Sequence, residues 1–138
     1  MKTVSIIGSF RKEENYAWVV EIITKLREAG VNVLSPAGTE VVDSVEDFVI
    51  FVSDDKSLSP IEIENITLEK IFASDIVYVC DVDGYIGNTT AYELGRCDIR
   101  GKEIYFMEYP EDISLRPDFI EVLSVDELIN YITSGIKK

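Results

Sequence analysis

Hydrophobic positions along this chain alternate between two spacings, continuous runs of four or five and recurrences every three or four residues. Val4-Ser5-Ile6-Ile7 is a short strand that ends at Gly8-Ser9-Phe10-Arg11. From about Glu13 to Ala29, Val19, Ile22, Ile23 and Leu26 recur at helical spacing, and Gly30 is a natural stop. Val31 to Leu34 is a second strand, closed by Ser35-Pro36. Ser59-Pro60-Ile61-Glu62 combines a capping box with proline at the first helical position, and Ile63, Ile66, Ile71 and Phe72 supply a buried face. The run Ile76 to Cys80 is a third strand, followed by a helix from Thr89 to about Ile99. Gly101-Lys102 turns into a strand over Ile104 to Met107, and a last short strand is expected over Phe119 to Leu123. Ser124-Val125-Asp126-Glu127 is a second capping box, opening a helix with Leu128, Ile129 and Ile132 inward.

Strands that alternate with helices pair in parallel through right-handed crossovers. The expected architecture is a flavodoxin-like or Rossmann-like three-layer α/β sandwich, with about five parallel strands in the order 2-1-3-4-5. Its switch point lies between the first and third strands, where such folds bind ligands. That places Gly8 to Arg11 beside Asp81 to Glu93. At 138 residues, the whole chain (1–138) fits one domain. The connection from Ala37 to Leu58 is too long for a simple turn. Its apolar run Phe48 to Val52 points to an extra strand or flap near the site, and to a candidate subunit contact.

Composition narrows the classes. Hydrophobic residues at 46% and charged residues at 28% are ordinary for a globular protein. The apolar runs are far too short to span a bilayer, and Met1 leads directly into a strand without a signal segment, so no membrane association and a cytoplasmic location are expected. A net charge of −13 argues against nucleic acid as a partner, since a polyanion needs a basic face. It leaves room for a small anionic ligand held by a few local donors. Cys80 and Cys97 lack metal-type spacing and the chain has no histidine, so neither a metal nor another cofactor is expected.

Without histidine, acid/base or nucleophilic chemistry must come mainly from carboxylates. These concentrate after the third strand, in Asp81-Val82-Asp83-Gly84-Tyr85-Ile86-Gly87-Asn88-Thr89-Thr90-Ala91-Tyr92-Glu93. Gly84 and Gly87 either let the backbone approach a ligand or supply the positive φ of a tight turn. Asn88 and Thr89 suit helix capping, and the amides there suit a phosphate or sugar hydroxyl. Glu93 has two readings: the end of a capping box begun at Thr90, or, with the cap at Asn88 or Thr89, a carboxylate free to act as nucleophile from the first turn. Asp81 and Asp83 are either solvated turn residues or, with Glu93, the two-carboxylate arrangement of glycosyl transfer. Ser9 and Arg11 either hold a phosphate or sugar oxygen or form an ordinary turn. Tyr16, Trp18, Tyr85 and Tyr92 are candidates for stacking on a base, with Trp18 assigned rather to the core.

In order, Gly8-Ser9-Phe10-Arg11, Ala73-Ser74-Asp75-Ile76-Val77, Asp83-Gly84-Tyr85-Ile86-Gly87, Glu93-Leu94-Gly95 and Gly101-Lys102 resemble the nucleoside 2-deoxyribosyltransferase family. They are also similar to the related nucleoside 5′-monophosphate N-glycosidases, over Val4 to Met107. The resemblance implies that Glu93 is the nucleophile of a covalent glycosyl intermediate. It implies further that Gly8, Ser9, Phe10 and Arg11 border the sugar and any 5′-phosphate, and that a homo-oligomer completes the site. Two family aspartates fall on Thr67 and Gly87 here, which leaves Asp81 and Asp83 as the substitutes.

The expected reaction is cleavage or transfer of the N-glycosidic bond of a nucleoside or nucleotide, with Asp81 or Asp83 assisting departure of the base. Gly84, Tyr85, Gly87, Asn88 and Thr89 complete the expected substrate contacts. Two alternatives share the fold: a non-catalytic nucleotide-binding or sensing protein, and a phosphoribohydrolase of the cytokinin-activating type, whose double-glycine phosphate loop this chain lacks.

Overall fold

A computed structural model describes residues 2–8, 13–36, 41–45, 48–51, 59–112 and 120–136. Four parallel strands form its main sheet: β1 (Val4–Gly8), β2 (Val33–Ser35), β5 (Ile76–Cys80) and β6 (Glu103–Phe106), in the spatial order β2-β1-β5-β6. Four helices accompany them: α1 (Glu13–Glu28), α2 (Pro60–Ala73), α3 (Asn88–Ile99) and α4 (Val125–Ser134). Val19, Ile22, Ile23 and Leu26 of α1 and Leu128 of α4 pack on one face of the sheet, with Ile6, Tyr78 and Tyr105. Leu68 and Ile71 of α2 and Leu94 and Cys97 of α3 cover the other, with Ile7, Val77 and Val79. Because β5 is apolar toward both faces, all five of its residues are buried, as a central parallel strand requires. The result is a doubly wound α/β architecture, compatible with Rossmann-like and flavodoxin-like folds. Among the described residues no helix is long and apolar enough to cross a membrane.

Both capping boxes form. Ser59 and Glu62 exchange side-chain-to-amide hydrogen bonds at the start of α2, as do Ser124 and Glu127 at the start of α4. The expected fifth strand is reduced to a single bridge, Val122 against Phe106, flanked by the bonds Phe106 N–H to Glu121 O and Leu123 N–H to Phe106 O. Ser124 already caps α4, so the chain leaves the sheet edge after one pair. Phe119 lies outside the described residues.

The long connection after β2 contains two strands rather than one. β3 (Val41–Val45) and β4 (Phe48–Phe51) pair antiparallel as a separate two-stranded sheet.

Two core assignments change. Trp18 is 47% exposed. It precedes the buried stripe of α1 by one residue and lies on the flank of Glu21 and Lys25, which form an i,i+4 ion pair at 3.8 Å. Ile66 is 41% exposed, and Leu68 takes its place inside. The buried apolar residues of α2 are Ile63, Leu68 and Ile71, and residue 66 lies on the opposite side of the helix from residue 68.

Candidate active site

β1 and β5 are adjacent, and the chain leaves them in opposite directions, so their carboxyl ends form the switch point of the sheet. Gly8 pairs with Cys80 there. A Cβ on Gly8 would stand 2.5 Å from the Cys80 carbonyl oxygen, so glycine is needed for the closeness of the two strands. Ser9, Phe10 and Arg11 lie outside the described residues.

After Cys80 the chain makes one 3₁₀ turn, Val82–Gly84, and enters α3 at Gly87. Gly87, with φ +79, is the N-cap and makes no side-chain cap bond. Asn88 and Thr89 are therefore the first two helical residues rather than caps, and Thr90 is buried instead of opening a capping box. Gly87 outcompetes them because the turn reaches the helix with a positive φ, which glycine adopts without steric cost. Glu93 becomes the sixth residue of α3, beyond the first turn and beyond the reach of the cap.

At that position Glu93 shares the inward face of α3 with Thr90, Leu94 and Cys97 and is only 6% exposed. Its carboxyl meets that of Glu64, the fifth residue of α2, and the two share a hydrogen bond. Burial holds Glu93 well above the usual carboxylate range, and the charge of Glu64 and their hydrogen bond add to the effect. Burial also raises Glu64, while its bond to Glu93 pulls it back. A hydrogen bond between two carboxyl groups requires a proton on one of them, so the pair shares a proton that burial retains above the usual carboxylate range. The second oxygen of Glu64, Oε2, is buried without a hydrogen-bond partner among the described residues. Cys97, one turn beyond Glu93, is a buried free thiol that burial, before any other cause, raises to about 11, so it is inert as a nucleophile.

Asp81 and Asp83 go elsewhere. Asp81 is fully buried, and its Oδ1 accepts the Glu108 N–H at 2.8 Å, which ties the end of β5 to the segment after β6. Its Oδ2 is buried without a hydrogen-bond partner among the described residues, and burial pushes the carboxyl up to about 7 against the lowering effect of the Glu108 amide. Asp83 is exposed in a left-handed conformation (φ 58), its amide bound to Glu108 Oε2 at 2.9 Å. The carboxylate brought to Glu93 is thus Glu64, which the sequence reading did not select. A signal was present: Glu64 lies in line with Leu68 and Ile71, and a carboxylate within an apolar stripe is rarely there for packing. Thr67 is one turn further along the same helix.

The glycines of the turn have structural reasons. Gly84 is buried with φ +76, and a Cβ there would meet Glu111 Cγ at 2.5 Å and the Tyr109 carbonyl oxygen at 2.7 Å. A Cβ on Gly87 would lie 3.4 Å from the Tyr85 ring. Tyr85 and Tyr92 are exposed, as stacking residues would be, and Tyr16 is half-buried. Among the described residues no three His, Cys, Asp or Glu side chains converge as metal ligands. No family model and no curated protein matches the chain.

Proposed function

We propose that this chain is a cytoplasmic, flavodoxin-like enzyme that cleaves or exchanges the N-glycosidic bond of a nucleoside or nucleoside 5′-monophosphate. The observation that carries the reading is the pairing of the buried Glu93 carboxyl with that of Glu64. Both residues lie in the N-terminal halves of helices that run antiparallel to the strands, on the side of the sheet's carboxyl edge. There the motif order from Gly8 to Lys102 also resembles the deoxyribosyltransferases. Glycosyl transfer with retention needs two neighbouring carboxyl groups, one to attack and one to handle the proton.

The roles follow from the shared proton. With that proton on Glu64, the Glu93 carboxylate oxygen attacks C1′. The C–N bond breaks with its electron pair going to the base, and Glu64 delivers the proton to the departing nitrogen. In the second half Glu64 takes a proton from water, or from an acceptor base, as that group attacks C1′ and the ester to Glu93 breaks. Glu64 thereby fills the place first assigned to Asp81 or Asp83. A homo-oligomer belongs to the same reading on the resemblance alone.

The competing reading is a nucleotide-binding module, in which a neutral Glu93 donates to a ligand hydroxyl. Incubation with a panel of nucleosides and 5′-monophosphates, with and without acceptor base, separates the two. Base release or exchange that disappears in a folded Glu93→Ala protein supports the enzyme. Ligand binding without turnover supports the module.

A further inference from the structure

In doubly wound sheets, the turn that leads from a strand into a helix presents backbone amides to a ligand's phosphate. Here, amides of that turn are occupied by the chain's own carboxylates, all from the segment after β6. Glu108 Oε2 accepts the Asp83 N–H at 2.9 Å. The two oxygens of Asp112 accept the N–H groups of Ile86 and Gly87 at 2.8 and 3.2 Å. The segments are clamped further by Glu108 N–H to Asp81 Oδ1 at 2.8 Å and Glu111 N–H to Gly84 O at 2.9 Å. Gly84 leaves no slack, since even a methyl group would collide with Glu111.

Charge acts in the same direction. Asp83, Glu108, Glu111 and Asp112 are all exposed around this one turn. Neither the stretch from Ile71 to Gly95 nor that from Glu103 to Asp112 contains a Lys or Arg. A phosphate dianion brought to the Ile86–Gly87 amides would have to expel Asp112 and would meet the carboxylates of Asp83, Glu108 and Glu111. A sugar hydroxyl meets neither obstacle, and can donate to these oxygens.

Gly87 precedes Glu93 by six residues, about 9 Å along the helix axis, and the glutamate side chain leans back toward it. The occupied amides are therefore within about one nucleotide's length of a C1′ held at Glu93. We propose that Asp112 and Glu108 are specificity determinants that close this turn to phosphate, so that the substrate is an unphosphorylated nucleoside rather than its 5′-monophosphate. The inference rests on the N-glycosidic reading of the Glu64–Glu93 pair.

The test compares a nucleoside with its own 5′-monophosphate on wild type, Asp112→Asn and Glu108→Gln, each verified as folded by circular dichroism. Base release and calorimetric binding are both measured. Asn at 112 keeps one acceptor for Ile86 but removes the charge and one of the two carboxylate acceptors. Wild type is expected to favour the nucleoside by roughly tenfold or more in kcat/KM, and Asp112→Asn to narrow that ratio several-fold. A wild-type preference for the monophosphate, or a ratio unchanged in both variants, overturns the exclusion while leaving the enzyme reading intact. Binding without turnover, with the nucleoside bound tighter and the ratio narrowed in Asp112→Asn, refutes the enzyme reading and upholds the exclusion. Failure of wild type to bind either compound overturns both.

Discussion

The Glu93 carboxyl on α3 is buried against the Glu64 carboxyl on α2 and shares a hydrogen bond with it. Two like groups in a poorly solvated place cannot both ionise cheaply, so the pair retains a proton above the usual carboxylate range. That proton makes the pair's contribution to stability depend on pH, and the proposed reaction would draw on the same proton.

For stability the sign is definite. Both folded-state values lie above the ordinary 4.5, so the folded protein binds more protons than the unfolded chain. The pair's contribution is complete below about pH 4.5 and is lost as pH rises through the folded-state values. Glu93→Gln keeps a donor for Glu64 and removes one titration. Urea unfolding of wild type and Glu93→Gln at pH 5, 7 and 9 should show the variant gaining relative to wild type as pH rises. A constant difference across that range would mean that the pair ionises as if exposed.

For chemistry, the two members should fail differently. Glu93→Ala should abolish base release. Glu64→Gln, which retains the shape but neither accepts nor delivers a proton, should lower kcat by roughly 10²–10⁴-fold. A leaving base that departs without protonation should restore much of the loss in Glu64→Gln and none in Glu93→Ala. Equal loss in Glu64→Gln on both leaving groups would remove Glu64 from the proton's path.

Asp81 offers an independent pH signature. Its carboxyl stands at about 7 in the folded protein against 3.8 for an ordinary aspartate. Stability from this group is therefore full below about pH 4 and declines as pH rises through about 7, by of the order of 4 kcal/mol at most. Asp81→Asn keeps the acceptor for the Glu108 amide and cannot ionise. Its unfolding free energy relative to wild type should rise by a few kcal/mol between pH 5 and pH 8. No change in that difference would show that Asp81 is solvated.

Gly8 tests the closeness of β1 and β5. An added methyl group would lie 2.5 Å from the Cys80 carbonyl oxygen, a backbone atom that cannot rotate away. Gly8→Ala should cost about 1–3 kcal/mol in urea unfolding, as overpacking of a filled space does. Gly30→Ala provides a contrast, since its cost comes from a positive φ of 82 with open space around it. An unaffected Gly8→Ala protein would mean that the two strands have room to separate.

Much of the fold was legible because it rests on local rules. Ser59–Glu62 and Ser124–Glu127 cap helices through bonds three residues apart, and Ile76 to Cys80 is buried on both sides as its unbroken apolar run required. The exceptions are places where a neighbour decides. Val122 forms one bridge instead of a strand because the cap at Ser124 follows at once, and Trp18 faces outward because its flank of α1 carries Glu21 and Lys25.

The sequence by itself determined the alternation of strands and helices, the lack of histidine and the candidacy of Glu93, since period, composition and motif order are properties of the chain. Only the tertiary structure decided which carboxyl stands beside it. Asp81 and Asp83 are the nearer acidic residues in sequence, but the backbone leaving β5 aims one at the Glu108 amide and leaves the other exposed. Glu64 is 29 residues away from Glu93 along the chain (93 minus 64) and reaches it because α2 and α3 pack on the same face of the sheet. Helix packing brings together groups that no local spacing relates.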